Sequence, residues 1–325
     1  MRNKCVAGIA TSEIVVHPRS RTELPGFPFP RFSGQGIIPP MPNTLLDPRN
    51  DYVFKRLFAA SPELLADLIN AVRSEEPAVE VIEVLNPRID PEELQGKFII
   101  LDVLARDRAG HLYNIQMQVR RHDPWSARST YYLARALSSQ ISHGASYTTL
   151  KPAIGIHLLD FTLFAGNPQA LWRFELRDRT QPHVLLGPEL QLNIIELPKA
   201  DHLDALTGTI VAWVTYFEHW QEETRMNQIT HPPVQEALQK LKALSASDEE
   251  RRLAEVRERA LIEEASALEY AKMQGIEEGI EKGIEKGLEE GLAKGREEAM
   301  NTALQRLIAS GMSETQARNI LGVGL

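Results

Sequence analysis

The chain has a single cysteine, Cys5, in 325 residues. That excludes an internal disulfide framework and fits a reducing compartment. It also lacks any apolar run long enough to cross a bilayer, and the apolar part of the opening MRNKCVAGIATSE is too short for a signal-peptide core. A cytoplasmic protein without membrane attachment is therefore expected. No strand-preceded glycine loop ends in Gly-Lys-Ser or Gly-Lys-Thr, which removes the phosphate-cradling nucleotide loop from consideration. The nine histidines show no metal-ligand spacing, and His111, His122 and His143 read as turn or surface residues.

What is present is the composition of an ordinary globular protein, 43% hydrophobic and 25% charged, long enough to bury a sizeable core. The formal net charge of −8 is unevenly spread. Residues 248–298 hold 16 acidic and 9 basic residues, leaving 28 and 27 for the rest of the chain. The acidity thus belongs to the tail, and the remainder is close to neutral. Phosphate binding needs a local basic surface rather than a basic whole, so the charge leaves nucleic acid open as a partner.

Residues 1–42 are rich in Pro, Gly, Ser and Arg without periodicity and read as a disordered extension, or else as a basic arm. From Asp51 to Val72 apolar residues recur at helical spacing with a break at Ser61-Pro62, which predicts two helices. Strands are expected at 79–85, 98–106 and 112–119, a helix at 126–142, then strands at 151–161 and 190–197. Amphipathic helices are expected near 201–220 and 232–245. In the first of these, Trp213, Tyr216, Phe217 and Trp220 share a face that reads as core rather than as a base-stacking platform.

One hairpin carries chemistry. In FIILDVLARDRAGHLYNIQMQ, residues 98–118, Asp102 sits in an apolar strand, and Gln116 and Gln118 face one side of the next strand because side chains alternate with period two. A carboxylate in such a strand is costly unless a cation or hydrogen-bond partners satisfy it. Arg120, Arg121, Arg128 and Arg135 follow closely and could meet phosphates.

This hairpin, together with LDPRNDYVFKRLF at 46–58, VLNPRI at 84–89, RSTYYLARALSSQISHGASY at 128–147 and IIELPK at 194–199, resembles the Rpn family of recombination-promoting nucleases, also described as transposases, within the PD-(D/E)XK superfamily. The resemblance covers roughly residues 45–325. It implies an α/β restriction-endonuclease-like core, a mixed sheet flanked by helices, over residues 43–247. It also implies a DNA endonuclease with Mg2+, or Mn2+, as cofactor. Carried over by motif position, Asp102 would be the principal metal ligand, Met117 would offer its carbonyl, and Gln118 would orient the attacking water. Gln116 departs from the pattern, because the family usually reads Glu-x-Gln here. An amide can coordinate Mg2+ but brings no charge, so reduced or absent activity is implied. Asp51 is a candidate for a helix-borne catalytic acid or a helix cap. Glu63 and Lys97 are weaker candidates that read as ordinary surface charges.

In the charged helical segment 248–298, glycines 275, 279, 283, 287, 291 and 295 recur at every fourth residue, the first five each followed by Ile or Leu. Six interior glycines cost a helix about 5–6 kcal/mol against alanine. The segment is therefore expected either to pack against a second copy as a homo-oligomer or to be a solvated spacer. Residues 299–325 read as a small helical unit with Ser313 as a cap. Three functions stand in view: a Mg2+-dependent endonuclease, a protein of the same fold that binds DNA without cutting, and an interaction module centred on the tail.

Overall fold

The computed structural model describes residues 44–89, 94, 101–121, 124–144, 146–202 and 206–322. The expected extension at 1–42, Lys97 and His122 lie outside these residues. Helices α1 (Asp51–Ala59) and α2 (Pro62–Val72) lead in, followed by strands β1 (Val81–Val84), β2 (Val103–Asp107) and β3 (Leu112–Gln118). Next come α3 (Trp125–Ser138), β4 (Ala153–Leu159), β5 (Leu171–Glu175) and β6 (Leu190–Glu196). The chain closes with α4 (Leu197–His202), α5 (Thr209–His219), α6 (Glu223–Gln228), α7 (Pro232–Ser245), α8 (Asp248–Ala309) and α9 (Glu314–Leu321).

The strands form one mixed sheet in the order β1-β2-β3-β4-β6-β5. β1, β2 and β3 are antiparallel neighbours, β3, β4 and β6 run parallel, and β5 is an antiparallel edge. Helices cover both faces, so the α/β core with a mixed sheet is the architecture expected. Gly110, at φ 89, makes the left-handed step in the β2–β3 turn that a side chain would strain. The strand β5 was not anticipated. Its LWRFE alternates, with Trp172 and Phe174 packing on Phe164, but five residues with two charges give little signal.

α1 begins where the Asn50 side chain accepts hydrogen bonds from the Tyr52 and Val53 amides, so Asn50 rather than Asp51 is the cap. α1 then buries Val53, Phe54, Leu57 and Phe58 against α5, whose Trp213, Tyr216 and Phe217 are wholly buried, with the Trp213 and Phe217 ring centroids 5.5–6.3 Å from those of Phe54 and Phe58. The aromatic stripe is core. Helix formation near 201–220 splits into α4 and α5, with Gly208 at φ 79 as the cap of the second. On the opposite face α3 lays Trp125, Ser129 and Leu133 on the sheet, at the i, i+4, i+8 spacing of one helical face.

α8 is a single helix of 62 residues, about 90 Å long at 1.5 Å per residue. It crosses residue 298 without a break. Its first four to five turns bury Ala254, Arg257 and Glu264 against the core, whereas residues 269–302 are exposed throughout. Among the described residues no helix is long and apolar enough to cross a membrane.

Candidate active-site cleft

β2 and β3 pair Val103 with Ile115, so one step further Asp102 stands across from Gln116 on the same face. Antiparallel pairing brings the start of β2 to the end of β3, and parallel pairing places Gln116 beside His157 of β4. The residues singled out on the hairpin therefore converge at one end of the sheet. There a cleft opens between α3 and the first turns of α8. Gln116, Met117 and Gln118 form its floor, Trp125, Arg128 and Tyr132 one wall, and Asp51, Arg257, Leu261 and Glu264 the other.

The floor is organised as a directional hydrogen-bond relay. Trp125 Nε1 donates to Gln118 Oε1 (2.7 Å), Gln118 Nε2 to Gln116 Oε1 (2.8 Å), Gln116 Nε2 to Asn114 Oδ1 (2.6 Å), and Asn114 Nδ2 to Asp102 Oδ2. Asp102 Oδ1 accepts from Asn86 Nδ2 at 3.0 Å. The ends fix the direction: an indole N–H can only donate and a carboxylate can only accept. Every amide between them must then point its NH2 toward Asp102. Asn114, Gln116 and Gln118 can do this because they are i, i+2, i+4 on one face of β3.

Burial raises the Asp102 pKa above the usual carboxylate value. The charge of Lys55 and the hydrogen bonds from Asn114 and Asn86 oppose that rise. Lys55 is itself buried, one helical turn after Asp51 on α1. It was missed in the sequence, although the i, i+4 spacing in DYVFK carried the signal. Asp51 reaches the cleft wall, where Arg257 grips it through Nε–Oδ1 at 2.9 Å and Nη2–Oδ2 at 2.7 Å. That fork satisfies both carboxylate oxygens in a buried pair. Arg257 and Glu264 were not anticipated because they lie in a run of alternating charges that reads as solvated helix. Glu63 lies elsewhere, exposed and paired with Lys240.

His157 is wholly buried, edge-on to the Trp125 ring at 5.5 Å, with Ser129 Oγ 3.4 Å from its Nδ1. Burial lowers its pKa to about 4, so it is neutral at ordinary pH. Met117 points to the opposite face, into the core. The Gln118 carbonyl accepts from the Asp160 amide on the β4 side, so by alternation the Met117 carbonyl is directed toward β2 and Asp102.

As a site for a divalent cation this donor set does not fit. Both oxygens of the Asp102 carboxylate accept from amides, the Gln116 oxygen accepts from Gln118, and Lys55 adds positive charge beside Asp102. Asp51 is committed to Arg257. Among the described residues no group of three or more His, Cys, Asp or Glu side chains is arranged to hold a metal ion.

Comparison with known proteins identifies a family. The family described as PD-(D/E)XK nuclease family transposase matches residues 48–271, more than half of the chain. No curated protein and no solved structure gives a match. The matched span ends within α8, so it includes the turns that wall the cleft and stops before the glycine repeat.

Proposed function

We propose that this chain, which belongs to the PD-(D/E)XK nuclease family transposases, is a DNA-binding member whose hydrolytic centre is attenuated by Gln116. The observation that carries this is the relay. At a position where a carboxylate would add negative charge for a cation, Gln116 passes a hydrogen bond from Gln118 to Asn114 and so helps hold the Asp102 charge without a cation. DNA as the partner is supported by the family and by Arg120, Arg128 and Arg135 at and beside the cleft.

A second reading keeps Mg2+- or Mn2+-dependent endonuclease activity. It is favoured by Asp102 standing across from Gln116 on one face of the hairpin, by Gln116 and Gln118 lining the cleft, and by the Met117 carbonyl directed toward β2. Plasmid nicking in Mg2+ or Mn2+, with Asp102→Asn as the blank, separates the two. Asn is the better blank than Ala because it keeps an acceptor for Asn86 and Asn114. The expected result is DNA binding by the wild type with nicking close to the blank, and a gain of about tenfold or more in Gln116→Glu. Metal-dependent nicking by the wild type far above the blank would establish the endonuclease instead, and absence of DNA binding would remove both readings.

The tail is proposed to join copies of the chain. Ile276, Ile280, Ile284, Leu288 and Leu292 are 54–67% exposed. A Cβ added at any of the six repeat glycines would meet nothing within 4 Å. Nothing among the described residues needs those glycines, whereas a second helix at close approach would.

A further inference from the structure

We infer that the outward face of α3 is a track for single-stranded DNA leading from the cleft, an inference that rests on the DNA-binding reading above. At 100° per residue Arg128, Tyr131, Tyr132 and Arg135 fall within an arc of about 100°, beside the arc of Trp125, Ser129 and Leu133 that packs on the sheet. α3 carries two arginines and no acidic residue over its 14 positions. Arg128 and Tyr132 line the cleft, and Tyr131 is 60% exposed with its ring edge-on to Tyr132 at 5.4 Å. Arg135 continues the row one turn beyond Tyr131.

Two arginines and an exposed tyrosine ring on one helix face match the chemistry of an unpaired strand. Guanidinium groups meet its phosphates, and ring faces stack on bases that a duplex keeps stacked on each other. The cleft itself lies between α3 and α8. Its α8 wall presents Glu264 and the Arg257–Asp51 pair, so the cationic path runs on the α3 side. Arg120 reinforces it at the end of β3 while donating one N–H to the Leu261 carbonyl at 3.2 Å.

The test is fluorescence anisotropy on the full chain with one labelled mixed-sequence DNA presented as single strand and as blunt duplex, and with the RNA strand of the same sequence. The single DNA strand should bind about fivefold or more tightly than the duplex. Tyr131→Ala should lose about tenfold in single-strand affinity with little change for the duplex, and Tyr131→Phe should retain wild-type binding. Arg135→Ala should weaken single-strand binding and flatten its salt dependence. Duplex binding as tight as single-strand binding, or a Tyr131→Ala variant indistinguishable from wild type, would overturn this inference alone. Tighter binding of RNA than of DNA would overturn its assignment to DNA. Failure of the wild type to bind DNA in either form would overturn the DNA-binding reading beneath it as well.

Discussion

Replacing Gln116 with glutamate reverses one link of the relay. In the wild type the Gln116 amide donates to Asn114 Oδ1 at 2.6 Å and accepts from Gln118 at 2.8 Å. A glutamate keeps the acceptor and loses the donor, so a carboxylate oxygen faces the Asn114 oxygen. Asn114 cannot turn to help, because its NH2 is committed to Asp102. Two outcomes are open to the folded variant. It can keep the introduced carboxylate ionised, with an acceptor facing an acceptor at a site 2% exposed, at a cost of about 1–3 kcal/mol plus the repulsion from Asp102. Or it can protonate that group, whose OH then donates to Asn114. Against an ordinary glutamate value of about 4.3, protonation at pH 7 costs about 3.7 kcal/mol, which caps the total. The expected loss is therefore about 2–4 kcal/mol at pH 7 in chelator, read as a fall of roughly 5–10 °C in Tm. The sign with pH follows from linkage. A carboxyl whose folded pKa is raised is destabilising above its unfolded value, so the deficit against wild type should shrink as pH falls toward about 4. Millimolar Mg2+ or Mn2+ should also shrink it, because the introduced carboxylate would add a second anionic donor near Asp102. A Gln116→Glu protein that melts with the wild type at pH 7 in chelator would show that the relay has no energetic role.

His157 gives a second pH signature. Its folded pKa of about 4 lies below the ordinary histidine value near 6.5, so the unfolded chain binds the extra proton in between. Stability held above about pH 6.5 should be lost by about 3 kcal/mol on falling to about pH 4, and His157→Leu should flatten that part of the urea-midpoint profile. An unchanged profile would refute the buried neutral state. Arg257→Ala strands Asp51 in a site where the pair is buried, and should cost about 3–5 kcal/mol by thermal or urea melting. Asp51→Asn combined with Arg257→Met should recover most of that loss, and a double variant as unstable as Arg257→Ala would place the cost elsewhere. In the tail, Gly283→Leu with Gly287→Leu should raise helix propensity yet dissociate an oligomer, and unchanged sedimentation would refute close packing through the glycines.

Much of this molecule was determined locally. Period-two alternation placed Gln116 and Gln118 on one face of β3, helical spacing put the α5 aromatics in the core, and the motif order named Asp102 before any contact was known. These are properties of residues close in sequence, where geometry follows from backbone type alone. The tertiary structure decided what each group is bonded to. Asn50 rather than Asp51 caps α1, and Asp51 is taken by Arg257, 206 residues later. A charge run that reads as solvated tail becomes the wall of the cleft in its first turns, because only packing distinguishes a buried arginine from its exposed neighbours. Likewise Gln116, which by motif is a missing carboxylate, gains its role from Trp125 and Asp102. The donor and acceptor at the two ends of a hydrogen-bond chain set the direction of every link between them, and those ends meet only in the folded protein.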